Sequence, residues 1–334
     1  MSELVRMSVS RRVAVITVDN PPVNALSPGV PEGIRDLVQA AGDDANVDAV
    51  VVIGAGTTFV AGADIKEFAK VASGEKPPLN LKEILFAVEN SPKPVVMAIH
   101  GTAFGGGLEL AMAGHYRVIA PSARVGQPEV NLGLIPGAAG TQRLPRLAGL
   151  QKAVEMCAFG QPIGAQEALA CGIADRVIEG DLLAGALAFA EEVAHLPIPR
   201  TRERNGKLAT DPAVFEAARA QARKTMRGRD APLAAIEAVS TAARASFEEG
   251  CRVEAELFTR CLKSAESRAL IHAFFGEREV AKIPGLAKET KPLSIAKAAV
   301  VGATPLHRNV AIKMLPRDKV ADPERLRLIQ AASK

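Results

Sequence analysis

An α/β fold followed by a helical C-terminal region is predicted from three observations. Short, β-branched apolar runs at 13–18, 49–53 and 95–99 each end within a few residues of Gly, Pro or Asn, the pattern of buried strands. Segments with helical spacing lie between those runs. After the extended run at 175–179 the strand signals largely cease and helical patterns take over, so the sheet belongs to the first 190 residues.

Each element has its own signal. Ile34, Leu37, Val38 and Ala41 recur at helical spacing and predict a helix over 30–41; residues 80–89 repeat that role before the third strand. An extended run at 116–120 follows helical residues 108–114, and 149–159 starts another helix. Residues 183–195, 212–227 and 232–243 also read as helices, with Pro197, Pro199 and the basic-polar stretch 200–207 marking a loop. One longer helix is expected over about 253–276, its apolar face built from Leu257, Phe258, Cys261, Leu262, Ala265, Ala269, Ile271 and Phe274. Ile283, Pro284 and Gly285 end it, and 288–297 reads as a basic linker.

Composition removes several function classes. The chain has 334 residues, enough for about two domains. Its 41 Lys and Arg against 37 Asp and Glu leave +4, too small and dispersed for a nucleic-acid or membrane surface. Aromatics are 4 %, with no Trp and one Tyr, which argues against stacking platforms for single-stranded nucleic acid. The four cysteines form no CxxC pair and have no His at ligand distance, so neither a metal site nor a disulfide framework is expected. The opening residues lack a secretory apolar core and no run of about 20 apolar residues is uninterrupted. A cytoplasmic protein is expected.

Three segments carry candidate chemistry. In FVAGADIKEF (59–68), Gly62 between alanines permits a sharp turn that leaves an N–H, that of Ala63, pointing into open space as an oxyanion site requires; an ordinary strand-to-helix turn with Asp64 near the helix start is the plainer alternative. In GTAFGGGLELAMAG (101–114), a strand reaches three glycines and opens a helix, so a ligand can lie on the backbone at a positive helix end. Glu109 is an acid in an apolar first turn, where it caps, pairs or works. In GQPEVNLGLIPGAAGTQRLPRLAG (126–149), Glu129 sits in a Gly- and Pro-rich turn. Alone it reads as a surface loop acid, but two acids on separate segments of one cleft can hold a water and divide acid and base work. Phosphate-loop and dinucleotide patterns fail: GxxxxGK[ST] is absent, and Phe59 stands where VVIGAG (51–56) would need its third glycine.

Together these segments closely resemble the enoyl-CoA hydratase/isomerase (crotonase) family, and Asp19 to Leu26 resembles its N-terminal coenzyme A segment. The resemblance implies a crotonase-like spiral of ββα repeats over 1–190 and a helical region over 191–285. It implies a thioester oxygen held by the N–H groups of Ala63 and Gly106, Glu109 activating water for attack at C3 of a trans-2-enoyl-CoA, and Glu129 delivering a proton to C2. Ala25, Leu26, Ala61, Asp64, Ile65, Lys66, Gly105, Pro136 and Gly137 match positions along the CoA and acyl path, with Lys66 available to a CoA phosphate. Coenzyme A is then part of the substrate, and no NAD, metal or other cofactor is expected. A Δ3,Δ2-enoyl-CoA isomerase activity is also compatible, and a non-catalytic acyl-CoA-binding protein is the alternative of a different class. His115 stands where the family often carries an acid and is expected to be a satisfied polar residue.

Residues 261–285, especially 265–285, resemble the linker helix of multifunctional fatty-acid oxidation enzymes, which join a hydratase to a 3-hydroxyacyl-CoA dehydrogenase. Lys291, Pro292 and the strand-like run 295–303 resemble the start of that dehydrogenase, but Thr304 to His307 replace its glycines and 31 residues remain after Ala303. The expectation is a hydratase half with a truncated dehydrogenase remnant over 286–334, acting as a monomer or a trimer-based homo-oligomer.

Overall fold

The computed structural model describes residues 4–72, 75–76, 80–209 and 211–280. Nine strands are present among them: β1 (Val5–Ser10), β2 (Val13–Val18), β3 (Ala49–Gly54), β4 (Val95–Ile99), β5 (Thr102–Phe104), β6 (Tyr116–Ile119), β7 (Arg124–Gly126), β8 (Ile163–Gly164) and β9 (Arg176–Val177). The helices are α1 (Val30–Asp43), α2 (Ile65–Ala72), α3 (Leu81–Glu89), α4 (Gly106–Ala113), α5 (Gly140–Ala148), α6 (Leu150–Phe159), α7 (Ala165–Cys171), α8 (Leu182–Val193), α9 (Ala213–Thr225), α10 (Ala231–Thr241), α11 (Phe247–Leu262) and α12 (Ala265–Val280).

Six strands form one sheet in the order β1-β2-β3-β4-β6-β9. The β1–β2 hairpin is antiparallel and every other pairing is parallel. A second sheet, β5-β7-β8, is reached where the chain leaves β4 and β6, so successive turns of chain wind through two sheets as a spiral. The large sheet is buried on both faces, which is why its strands read as continuous apolar runs. Ala14, Ile16, Val50, Val52, Met97 and Ile99 join the main core with α1, α3 and α4, whereas Val13, Val51, Val96 and Val118 pack under Leu182, Ala186, Phe189 and Val193 of α8. Strand β1 escapes the sequence reading because only Val5 of its six residues is buried.

The helical region departs from expectation at one point. The single helix expected over 253–276 is two helices, α11 and α12, and the first starts six residues earlier. Ser246 caps α11 by accepting the Glu249 N–H at 3.2 Å. Ser264 ends the run, accepting the Ser267 N–H at 3.0 Å as α12 begins. A serine that satisfies a free helix-start amide competes with continuation of the preceding helix. Residues 286–334, expected to hold the dehydrogenase remnant, lie outside the described residues. No helix among the described residues is long and apolar enough to cross a membrane.

Candidate active site

Two backbone turns meet at the mouth of the small sheet. Val60 bridges Ala103, and Ala63 bridges Leu26, whose N–H donates to Gly62 O at 2.9 Å. The 60–63 segment therefore runs between the Leu26 segment and β5. Gly62 takes a φ of +113°, open to glycine and costly for other residues. At the end of β5, Gly105 adopts φ +52° and the chain turns into α4. A Cβ on Gly107 would lie 2.0 Å from Val60 O, so only glycine there lets the turns abut, and the Cβ position of Gly106 lies 3.5 Å from Ala63 N, which places the two turns side by side. The N–H groups of Ala63 and Gly106 donate to no acceptor among the described residues. Gly106 opens α4, where an N–H has no intrahelical partner and the helix end favours negative charge.

The two acids arrive from different directions. Glu109 projects from the first turn of α4, is 3 % exposed, and accepts at Oε1 the N–H groups of Ala138 at 2.7 Å and Gly140 at 2.9 Å. Glu129 lies in a 3-10 turn, Pro128–Leu132, that follows β7. A Cβ on Gly105 would come within 3.0 Å of Glu129 Oε1, so the acid lies directly over the glycine turn. In the amide orientation that satisfies both partners, Gln127 donates to Glu129 at 2.8 and 3.1 Å.

Their electrostatics differ. Burial raises the Glu109 carboxyl, while the Ala138 and Gly140 amides and Arg143 oppose that rise. Glu129 stands well above the usual carboxylate range: burial is the largest cause, and the charge of Glu109 adds to it. The pair is thus biased toward an ionised Glu109 and a protonated Glu129.

The remaining expected residues fall into two groups. Ala25, Leu26, Ala61, Asp64 and Ile65 gather along the Leu26–Ala63 bridge: Ala61 N–H donates to Val23 O at 3.1 Å, Ala25 O accepts from Asn20 Nδ2 at 2.8 Å, and Ser27 Oγ donates to Asp64 at 3.3 Å. Pro136 and Gly137 lie apart from them, beside Glu109, with Gly137 against α11: its Cβ would meet the Phe258 ring at 2.7 Å. Gly105 stands between the groups. The side chain of Lys66 lies outside the described residues. His115, expected to be satisfied, accepts the Val95 N–H at Nδ1 at 2.9 Å and bonds Glu89 O through Nε2 at 3.0 Å, fully buried.

One residue at the site was not anticipated. Glu254 of α11 is 0 % exposed and accepts from Ala139 N, Thr141 N and Thr141 Oγ1 at 2.6, 2.9 and 2.5 Å. Its signal is an acid inside an apolar stripe, Phe247, Gly250, Cys251, Glu254, Leu257 and Cys261, all buried. Starting the helix at 253 places Glu254 in a first turn, where an acid is ordinary.

The profile of the family described as Enoyl-CoA hydratase/isomerase matches residues 8–203. The chain is 42 % identical over 316 residues to a Danio rerio protein named peroxisomal bifunctional enzyme, covering 92 % of this chain and 43 % of that one. It is 37 % identical to an Oryza sativa peroxisomal fatty acid beta-oxidation multifunctional protein, covering 91 % and 43 %. The chain therefore spans less than half the length of these relatives. Among solved structures, an enoyl-CoA hydratase/isomerase from Pseudoalteromonas atlantica superposes with a TM-score of 0.61 at 27 % identity, covering 85 % of this chain and all of that one. OdaA of Pseudomonas aeruginosa superposes with a TM-score of 0.60 at 26 % identity, covering 82 % and 99 %. The fold is crotonase-like, and the chain belongs to the enoyl-CoA hydratase/isomerase family.

Proposed function

We propose that the chain hydrates trans-2-enoyl-CoA to 3-hydroxyacyl-CoA in fatty-acid β-oxidation. The observation that carries this reading is the convergence on one glycine turn of two backbone N–H groups without an acceptor among the described residues, on Ala63 and Gly106, and two buried acids on separate segments, Glu109 and Glu129. Glu109, with Oε1 held by two amides, takes a proton from water at its other oxygen as the hydroxyl adds to C3. Electron density moves to the thioester oxygen, where the two N–H groups hold the enolate; one such donor is worth about 3 kcal/mol. Collapse of the enolate takes the Glu129 proton at C2. Glu109 then returns a proton to Glu129 through solvent, and the pair is reset. Ala25, Leu26, Ala61, Asp64, Ile65 and Lys66 take the CoA moiety, and Gly105, Pro136 and Gly137 border the acyl chain.

The chemistry requires no cofactor, since coenzyme A enters with the substrate. Residues 1–190 supply the reacting groups, and within the 191–285 region α11 supports them through Glu254. Assembly as a monomer or a trimer-based oligomer follows the same reading, and light scattering distinguishes the two. The relatives are peroxisomal by name, a compartment different from the cytoplasm expected from composition.

The test is direct. Purified protein with crotonyl-CoA loses the conjugated thioester absorbance, the rate rising with pH as Glu109 ionises and falling again as Glu129 gives up its proton. No turnover on short, medium or long enoyl-CoA, with CoA binding retained by calorimetry, supports the non-catalytic alternative instead.

A further inference from the structure

We infer that Glu254 is a positioning residue for this reaction: by gripping the alternate amides of the turn whose other amides grip Glu109, it fixes the base in place. The inference rests on the reading of Glu109 as the base.

The turn at 138–141 presents four consecutive N–H groups to two carboxylates in alternation. Ala138 and Gly140 donate to Glu109, while Ala139 and Thr141 donate to Glu254. Ala139 sits at φ +69°, a left-handed conformation that turns successive amides to opposite sides. Neither carboxylate can shift without moving the amides that hold the other. Thr141 Oγ1 adds a third donor to Glu254, so three donors occupy its two oxygens. A glutamine has one acceptor oxygen and would leave an N–H facing an NH₂ group. A carboxylate is therefore required there by the turn rather than by solvent.

Among the described residues, no other acid of the site enters from the helical region. Glu254 crosses 115 positions of sequence to reach Ala139, tying α11 to the chemistry of α4. The groups that bear on it are Glu109 from α4, Glu129 from the 3-10 turn, Cys157 from α6 and Cys251 on its own helix, with Arg143 of α5 facing Glu109 and Cys251. Acids predominate among them. Burial and the charge of Glu109 push the Glu254 carboxyl up to about 8 against its three donors, so Glu109 and Glu254 titrate as a pair.

The experiment compares Glu254→Gln, Thr141→Val and Glu109→Gln with the wild-type protein, using crotonyl-CoA over a full pH range and circular dichroism to count folded molecules. For Glu254→Gln the expected result is a fall in kcat of roughly 10- to 100-fold, the scale of a base displaced by a fraction of an ångström, with KM changed by less than about twofold because the CoA contacts lie on other segments. Thr141→Val, which keeps the shape and deletes one donor, gives a smaller fall in kcat and keeps the proposal testable if the first variant does not fold. A lower melting temperature with wild-type kcat per folded molecule, in either variant, overturns the inference. Wild-type activity in Glu109→Gln instead overturns the underlying reading, so the two failures are distinguishable.

Discussion

Two buried acidic neighbourhoods lie on either side of the 138–143 segment, and they differ in what faces the acid. Glu89, at the end of α3, is 0 % exposed and pairs with an equally buried Arg143 at 2.8 Å. It also accepts the Arg202 N–H at 2.9 Å, and the Arg143 guanidinium lies 5.2 and 5.5 Å from the ring centroids of Phe86 and Phe247. Every charge there has a counterpart. In the other neighbourhood, Glu109, Glu129 and Glu254 bear on one another and all three are pushed upward by burial, with Arg143 opposing the rise at Glu109 without an ion pair. Removing one partner of a compensated buried pair costs stability, whereas an acid without an ion-pair partner keeps a raised pKa, the state that the proposed proton transfer uses. Arg143 touches both regions, since it also donates to Ala138 O at 3.1 Å, and so anchors the turn from the compensated side.

The sharpest test neutralises one acid in each neighbourhood. Glu109→Gln and Glu129→Gln are expected to lower kcat by roughly 10² to 10⁴, the range for a lost general acid or base, with unchanged circular dichroism. Neither change strands a buried cation, so urea midpoints stay near the wild-type value. Glu89→Gln is expected to do the reverse. It leaves Arg143 buried without its partner and costs about 3–5 kcal/mol of stability, while folded molecules keep their activity at low temperature. A Glu89→Gln protein as stable as wild type would break the comparison.

How far the sequence discloses these regions depends on where the signal resides. Strands β2, β3 and β4 are legible because burial on two faces makes an unbroken apolar run, and β1 is not, because its exposed pattern resembles a loop. Glu109 is legible as a lone acid among Leu108, Leu110, Ala111 and Met112, and the glycine turns are legible because their residue type follows from backbone geometry. Glu254 is surrounded in sequence by Glu248, Glu249, Arg252 and Glu256, which read as a solvated face. Its burial becomes apparent only once Ser246 sets the helix start and the register places it on the stripe. The Glu89–Arg143 pair spans 54 positions and no local pattern joins them.

His115 extends the compensated region to pH. Its ring is held neutral between Val95 N and Glu89 O, and burial lowers its pKa from 6.5 to about 4. The folded value lies below the unfolded one, so the stability present above pH 6.5 is lost as pH falls toward 4, where it amounts to roughly 3 kcal/mol. Urea melts of wild type and His115→Gln across pH 7 to 4 are expected to show the wild-type lead shrinking with acidity. A constant difference would mean that the ring carries no such penalty.

The smallest effect comes from the glycine beneath Glu129. Gly105→Ala meets two penalties: φ +52° with ψ −125° is hostile to a Cβ, and that Cβ would stand 3.0 Å from Glu129 Oε1. Gly228 has φ +74° and open space around its Cβ position, so Gly228→Ala meets only the first. Backbone strain alone is expected to cost each variant about 1–2 kcal/mol, read as a fall in Tm of a few degrees. Activity separates them, because only the alanine at 105 displaces the acid, by a few tenths of an ångström. A severalfold lower kcat in Gly105→Ala with an unchanged kcat in Gly228→Ala therefore ties the position of Glu129 to the glycine turn, and equal activities would sever that tie.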